Sequence, residues 1–497
     1  MPRVAVVGGG LSGLTVAFSI IRALPDAKIT LYEASPDLGG VIHSERVSTS
    51  FGDFVLDHGA DMFATDPPAA MELCRELGIE SRLLSPREDL AGAMIVRNGK
   101  LQRIPEGFVL ARATRLRPML TSSLLSPLGK LRFLLERWRP QSAATQEDDD
   151  GVDESVASFI RHRMGKEVLE RLAGPLVAGI YTADIERLSA RATLGPIVEM
   201  VSRYGSLAAA ARQRRESASD RSSAGARYQR FRGFPNGTGE LIDCLEASLE
   251  QNDAITVRRS CPVNSLRLLS PTCWRLTAAN SEEDFEEVIL AAPARVSAKL
   301  LKSISPEHLT EETSAAITTA GEELGAIESS SAAIVVLGVS TEQIRDLPKA
   351  FGIVVPPIEG RHIIAISFAS HKYEGRCPSG QTIIRVFLGG ALRPDLLERD
   401  DDALVDLVRG ELQELIGLTD APVTLSRVVR WQDSMPQYHV GHLPRVRRIV
   451  DSMDRIPHLS LTSNALHGVG IAPVIAAARR TALSVVDHWN HKKAGDT

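Results

Sequence analysis

The chain has 497 residues, 43% of them hydrophobic and 24% charged, with a formal net charge of −5. That length exceeds one ordinary core, so two or three domains are expected, and the mildly acidic balance argues against a nucleic-acid partner. The five cysteines have no C-x-x-C pair, which argues against a disulfide framework or a zinc site. No run of about twenty apolar residues is long enough to span a bilayer. The first apolar strand begins at Val4 with no leader-like segment before it, which predicts a cytoplasmic protein.

In chain order, Val4-Ala-Val-Val7 predicts a strand, residues 11–24 a helix stopped by Pro25-Asp26, and residues 28–32 a second strand ending at Glu33. The first strand-to-helix turn sets Gly8, Gly10 and Gly13 in a G-x-G-x-x-G array. In such an array Gly8 permits the tight turn, Gly10 lets backbone approach a pyrophosphate, and Gly13 lets the helix pack on the sheet. Amides at the helix N-terminus face the phosphate charge. Ser12 is placed to donate to it, and Glu33, twenty residues after Gly13, to accept ribose hydroxyls. Dinucleotide binding is the reading; the alternative is a glycine turn that merely packs. A second glycine pair, Gly39-Gly40, follows, then a short strand at 54–57 and a helix at 67–77 closed by Gly78.

Residues 86–210 carry Leu, Arg and Ala at helical spacing and few strand signals. Between Leu110 and Pro140, Arg112, Arg115, Arg117, Lys130, Arg132, Arg137 and Arg139 face a single acid, Glu136, with leucines interleaved. Either this surface rests on anionic lipid headgroups, or it is an amphipathic helix pair with a solvated basic face. Residues 141–154 and 212–227 lack apolar periodicity and read as loops. Strand signals return at 255–257, 263–269, 274–276 and 288–292, and again at 333–339, 363–368 and 383–388. A helix follows at 401–415, then a strand at 459–462, a Gly468-Val-Gly470 turn, and a helix at 473–489 with Pro473 at its first position.

The N-terminal βαβ unit is not a complete sheet, and the late strands and final helix are its natural completion. The predicted fold is therefore α/β: a discontinuous Rossmann-like nucleotide domain made of residues 1–85, 228–300 and 431–497. A helical insertion (86–210) and a mixed, β-rich sheet domain (301–430) would carry the substrate.

These features resemble the FAD-dependent amine oxidase and phytoene desaturase superfamily, in which Glu33 through Gly39-Gly40 matches an E-x-x-x-x-x-G-G sequence. Asn464 and Gly468-Val-Gly470-Ile471 match its flavin-contacting motif. Within that superfamily the chain resembles the protoporphyrinogen oxidase family. The matching segments are Glu154-Ser-Val-Ala-Ser-Phe-Ile160, Gly165-Lys-Glu-Val168, Pro175-Leu-Val-Ala-Gly-Ile-Tyr181-Thr-Ala-Asp184, Leu188-Ser-Ala-Arg-Ala-Thr193, and Trp431-Gln-Asp-Ser-Met-Pro436-Gln-Tyr438-His-Val-Gly441-His442.

The resemblance implies FAD, with Gly8, Gly10, Ser12, Gly13 and Glu33 on its ADP half and Val263 touching the adenine through its backbone. It places Gly39, Gly40 and Val41 along the pyrophosphate and flavin, and Asn464, Val469, Gly470 and Ile471 against the isoalloxazine and ribityl chain. It also implies a porphyrinogen substrate and dioxygen: six-electron oxidation of protoporphyrinogen IX to protoporphyrin IX, with release of hydrogen peroxide, in heme biosynthesis. Gly174, Ala178 and Gly179 would form an apolar wall for a flat tetrapyrrole. Arg97, with Arg87 and Arg103, is a candidate for pairing a propionate.

Two departures from the family stand out: Asp37 stands where a basic residue is common before the second glycine pair, and the G-P-x-x-F-like segment Gly59-Ala-Asp-Met-Phe63 is followed by Ala64-Thr65-Asp66-Pro67 without the arginine usual there. Oxidation of coproporphyrinogen III to coproporphyrin III, a flavin amine oxidase or desaturase, and a flavin-binding scaffold without turnover stay open. No acid–base dyad or metal site is expected, and His43, His439, His442 and His467 read as satisfied polar or turn residues. A homodimer also stays open.

Overall fold

Strand Arg3–Val7 is the middle of a five-stranded parallel sheet, in the order Ile255–Arg258, Lys28–Tyr32, Arg3–Val7, Glu287–Leu290, Leu459–Leu461. The computed structural model describes residues 2–139, 153–210, 230–279, 281–305, 307 and 309–495. The loops expected at 141–154 and 212–227 lie outside them, apart from Asp153 and Glu154.

Parallel strands must be covered on both faces, and the two-residue period of the strand divides its side chains between two cores. Val4 and Val6 point into one core, with the helices Leu11–Ala23, Gly239–Glu250 and Ile471–Gly495. Ala5 and Val7 point into the other, with Ala294–Lys302, Glu311–Gly325 and His442–Met453. Leu14, Ile20 and Ile475 are wholly buried in the first core, and each such side chain contributes about 1.5–3 kcal/mol by leaving water.

A second, seven-stranded sheet runs Leu425–Pro436, Ser329–Ser340, Gln381–Gly389, Ile363–Phe368, Gly352–Val354, Ala93–Arg97, Lys100–Arg103. Its pairs are antiparallel except for Gly352–Val354 with Ala93–Arg97, which makes the sheet mixed. Helix Asp401–Ile416 covers one face through Leu404, Val408 and Leu412.

Three sequence expectations are corrected. Residues 86–210 are not wholly helical: Ala93–Arg97 and Lys100–Arg103 form a hairpin that extends the second sheet. Its Ala-Met-Ile-Val-Arg stretch is too short for a helical period to contradict. Helix Glu311–Gly325 lies within the stretch read as β-rich, yet it packs in the core of the parallel sheet through Ala316, Ile317, Ala320 and Leu324. The last helix begins at Ile471, so Pro473 is its third residue, still within the first turn where amides lack helical partners.

Helices of the insertion, among them Pro127–Leu134, Val156–Met164, Gly174–Tyr181 and Ala190–Tyr204, share a core that also takes in Tyr438 and, partly buried, Val469. The insertion therefore packs against the segment that precedes the last helix of the parallel-sheet unit.

Candidate cofactor and substrate site

At the C-terminal end of Arg3–Val7 two glycine turns meet. The Gly39 amide donates to the Gly9 carbonyl (2.9 Å), and Gly10 bridges Gly39. Gly8 has φ +117, and a Cβ there would lie 2.7 Å from the Ala291 carbonyl oxygen. At Gly13 a Cβ would lie 1.9 Å from the Gly8 carbonyl oxygen, so the helix can approach the strand only as glycine. Gly10 has open space on its Cβ side, and Gly40 faces it, with its own Cβ direction 3.6 Å from the Gly10 Cα. The pair leaves a backbone-lined trough at the N-terminus of Leu11–Ala23, with Ser12 buried beside it. Such a trough suits a diphosphate.

The Glu33 carboxylate ends the adjoining strand. It accepts the Gly9 amide (2.7 Å) and the Ser35 amide (2.8 Å), which fixes it while leaving lone pairs for hydroxyl donors. The Cys261 amide donates to the Glu33 carbonyl (2.8 Å) and brings Val263 to the same end of the trough. At the other end, Val41 is 43% exposed. A Cβ on Gly59 would lie 2.4 Å from the Val41 carbonyl oxygen and 3.8 Å from the Trp431 ring, so residues 58–61 form a floor beneath Val41. The Trp431 indole donates to the His58 carbonyl (2.8 Å). Asn464, Val469 and Gly470 form the turn that leads into the helix starting at Ile471.

Behind the floor lies a buried ion cluster. Asp61 accepts Lys372 (2.6 Å) and Arg385 (2.9 Å), and Asp57 accepts Arg376 (2.9 Å). Burial pushes the Asp61 carboxyl up, but the Lys372 and Arg385 charges overcome this and hold it well below the usual carboxylate range. Burial wins at Lys372, which shares its anion with Arg385, and its pKa is lowered. Asp57 also takes the Thr238 amide (2.7 Å) and the Ser44 hydroxyl (2.6 Å), a structural hub rather than a reacting group.

The expected substrate wall divides. Gly179 and Ile180 are exposed and Ala178 is 9% exposed, but Gly174 is buried and is corrected to a packing residue. The helix widens to a π-turn over Leu169–Ala173, so the Gly174 amide donates to the Leu169 carbonyl, and a Cβ would lie 2.4 Å from that oxygen. Of the propionate candidates, Arg87 is held bidentately by Asp89 and Arg103 donates to the Lys349 carbonyl. Arg97 is half-buried at the end of its strand; nearby, burial raises the Glu167 carboxyl, but the Ser126 hydroxyl and amide, then Arg171 and last Arg97, bring it below its ordinary value. The His43 and His58 rings lie tilted at 59° to one another with centroids 4.8 Å apart.

Sequence reasoning missed the roles of Lys372, Arg376, Arg385 and Tyr438. Arg385 did leave a signal, as a cation inside the otherwise apolar Ile383-Ile384-Arg385-Val386 strand.

The parallel sheet, the double glycine trough and the fixed Glu33 suit a dinucleotide. The family model described as flavin containing amine oxidoreductase matches residues 11–486, and the chain belongs to that family as an FAD-dependent oxidoreductase. It is 26% identical to the coproporphyrinogen III oxidase of Bacillus subtilis (strain 168), over 95% of each chain. It is 25% identical to protoporphyrinogen oxidase 2 of Arabidopsis thaliana, over all of this chain and 96% of that one. A solved structure from Exiguobacterium sp. 255-15 superposes with a TM-score of 0.81 at 25% identity, over 98% of this chain and 99% of the other. Cyclohexylamine oxidase from Brevibacterium oxydans shares the fold, with a TM-score of 0.67 at 13% identity over 98% of this chain and 99% of that one.

Proposed function

We propose that the chain oxidises a porphyrinogen to the porphyrin in heme biosynthesis, with protoporphyrinogen IX as substrate and dioxygen as acceptor. The observation that carries this is the contact between the insertion and the cofactor side: the insertion's core takes in Val469 together with Val177 and Tyr181 of the helix that exposes Gly179 and Ile180. End-to-end similarity to named porphyrinogen oxidases supports it. On this reading the parallel-sheet unit is a Rossmann-like FAD domain, and the insertion and the mixed sheet enclose the substrate. Gly8, Gly10, Ser12 and Gly13 take the diphosphate, Glu33 the ribose, and Val263 the adenine. Gly39, Gly40, Val41, Asn464, Val469, Gly470 and Ile471 take the flavin end.

When bound, FAD supplies the hydride acceptor and the route for electrons to dioxygen. The chain's own residues align the macrocycle on the apolar wall and exclude water. The N-terminus of Ile471–Gly495 sets positive dipole towards charge that develops on the cofactor side. Protons from the pyrrole nitrogens leave to solvent, so no dyad is required.

The holoprotein should be yellow and convert protoporphyrinogen IX to a fluorescent porphyrin with oxygen uptake. A preparation that neither contains nor takes up FAD would refute the reading. Coproporphyrinogen III is the second reading, favoured by relatives of that name at 26–29% identity. Initial rates on the two substrates under identical conditions decide between them.

The same reading includes a peripheral membrane surface. On Pro127–Leu134 and the turn Leu135–Trp138, Leu128, Leu131, Leu135 and Trp138 are 77%, 55%, 38% and 63% exposed along one stripe. Lys130 and Arg139 flank the stripe and complement anionic headgroups. Arg132 is not part of that face, because its guanidinium caps the carbonyls of Arg161, His162 and Arg163. Replacing Leu128 and Trp138 with serine should reduce co-sedimentation with phosphatidylglycerol vesicles at least about tenfold. Unchanged sedimentation would return the stripe to a solvated or packing role. Among the described residues no helix is long and apolar enough to cross a membrane.

A further inference from the structure

We propose that Tyr438 is a positioning residue that couples the helical insertion to the turn at residues 464–470, through one hydroxyl held between two backbone groups of that turn. This rests on reading that turn as the flavin contact.

Tyr438 is 2% exposed, and its ring belongs to the insertion's core. The ring stacks on His442 with centroids 4.1 Å apart and planes 15° apart, and the Tyr181 ring lies 6.0 Å away. Its hydroxyl accepts the Gly468 amide (2.9 Å) and donates to the Asn464 carbonyl. Its own carbonyl accepts the Ser189 amide (2.7 Å), and two residues further on the Val440 amide donates to the Arg187 carbonyl (2.9 Å). One residue is thus bonded through its backbone to Ser189, which caps the helix Ala190–Tyr204, and through its side chain to the turn before Ile471.

Gly468 needs this support more than an ordinary turn residue. Its φ of +127 is a conformation that glycine alone adopts freely, and a Cβ there would lie 2.8 Å from the Pro473 ring. Glycine has the most conformational freedom to lose on ordering, so the hydroxyl that fixes its amide sets where residues 464–470 sit. His442, stacked beneath, is neutral across the working range because burial pushes its pKa down to about 4. The stack therefore carries no charge that substrate or pH would disturb. A ligand that presses on Gly179 and Ile180 meets the same packed core that holds the Tyr438 ring. Displacement of the insertion is then felt at Asn464 and Gly468 without any contact between the ligand and either residue.

The test compares the wild-type holoprotein with Tyr438→Phe and, as a control that also removes a buried tyrosine hydroxyl, Tyr373→Phe. The Tyr373 hydroxyl has no partner among the described residues, and its ring lies under the Arg376 guanidinium. FAD retained after filtration is quantified with and without bound porphyrin product. Tyr438→Phe should hold FAD about 10-fold more weakly, the loss expected for one or two hydrogen bonds. It should also lose the change in FAD retention that product causes in the wild type, whereas Tyr373→Phe should keep both. Tyr438→Phe matching Tyr373→Phe in both measurements, or a wild type whose FAD retention ignores product, overturns the proposal. A wild type that holds no FAD overturns the flavin reading along with it. If Tyr438→Phe does not fold, amide exchange of residues 464–470 in the wild-type holoprotein decides: slowing by product supports the coupling, and no slowing overturns it.

Discussion

Gly13→Ala is expected to yield a colourless, destabilised protein, while Gly10→Ala yields a stable protein that binds FAD poorly. A Cβ on residue 13 would lie 1.9 Å from the Gly8 carbonyl oxygen and 3.2 Å from Val6 Cγ1. Both obstacles belong to the strand–turn, and the first is backbone, so relief requires lifting Leu11–Ala23 off the sheet. That helix packs against Ile471–Gly495 in the wholly buried core around Leu14 and Ile475. Overpacking of a core typically costs about 1–3 kcal/mol, and a backbone-on-backbone clash belongs at or above the upper end.

Residue 10 is a contrast at the same turn. Its φ of −73 and ψ of 178 suit any residue, and a Cβ meets nothing within 4 Å. The thermal midpoint of Gly10→Ala apoprotein should therefore match the wild type, the shift staying within about 0.5 kcal/mol of stability. Its flavin absorbance per protein should fall, because the new methyl group stands in the trough read as the diphosphate site. If Gly10→Ala retained full flavin, that reading of the trough would be wrong. If Gly13→Ala were stable, the packing account of the fingerprint would be wrong.

The two substitutions also show which parts of this molecule were legible in the sequence. The trough was legible because its requirements are local: glycine spacing, a strand before, a helix after, and an acid ending the next strand. The turn at Asn464 to Ile471 was legible only through a resemblance, because no local rule ties it to Gly10 across some four hundred and fifty residues. The hairpin at Ala93–Arg97 was not legible, because its first strand is stabilised by pairing with Gly352–Val354, a long-range contact. Gly174 was misjudged for a related reason. In sequence it sits in an apolar run that suits a ligand wall, but the π-turn before it gives the glycine a backbone task. The cations behind the floor were least legible of all. Lys372 ends the short helix Ala369–Lys372 and Arg376 follows it, and only the folded chain sets them against Asp61 and Asp57.

That cluster carries the other large expected effect. Asp61→Asn should destabilise the protein by about 3–5 kcal/mol, the usual cost of leaving a buried charge without its partner. Here two cations are left, since Lys372 and Arg385 share the one carboxylate, and Arg385 is 1% exposed. The pH dependence has a definite sign. Lys372 and Arg385 depress the folded-state pKa of Asp61, so its stabilising contribution is fully present above the unfolded value of about 3.9. It is lost as pH falls through the depressed folded value. Chemical denaturation of wild type and Asp61→Asn at pH 7 and in mild acid should therefore give a gap that is widest at neutral pH and narrows only below about pH 4.

Lys372→Met in the Asp61→Asn background should recover part of the loss, because it removes one of the stranded charges and leaves Arg385 bonded to the Gly59 carbonyl. Additive losses in that double variant would show that Lys372 and Asp61 are not paired in solution. Recovery would mean that the floor beneath Val41 is held by charge rather than by packing alone. Asp61→Asn would then loosen the flavin end of the trough as well as the fold.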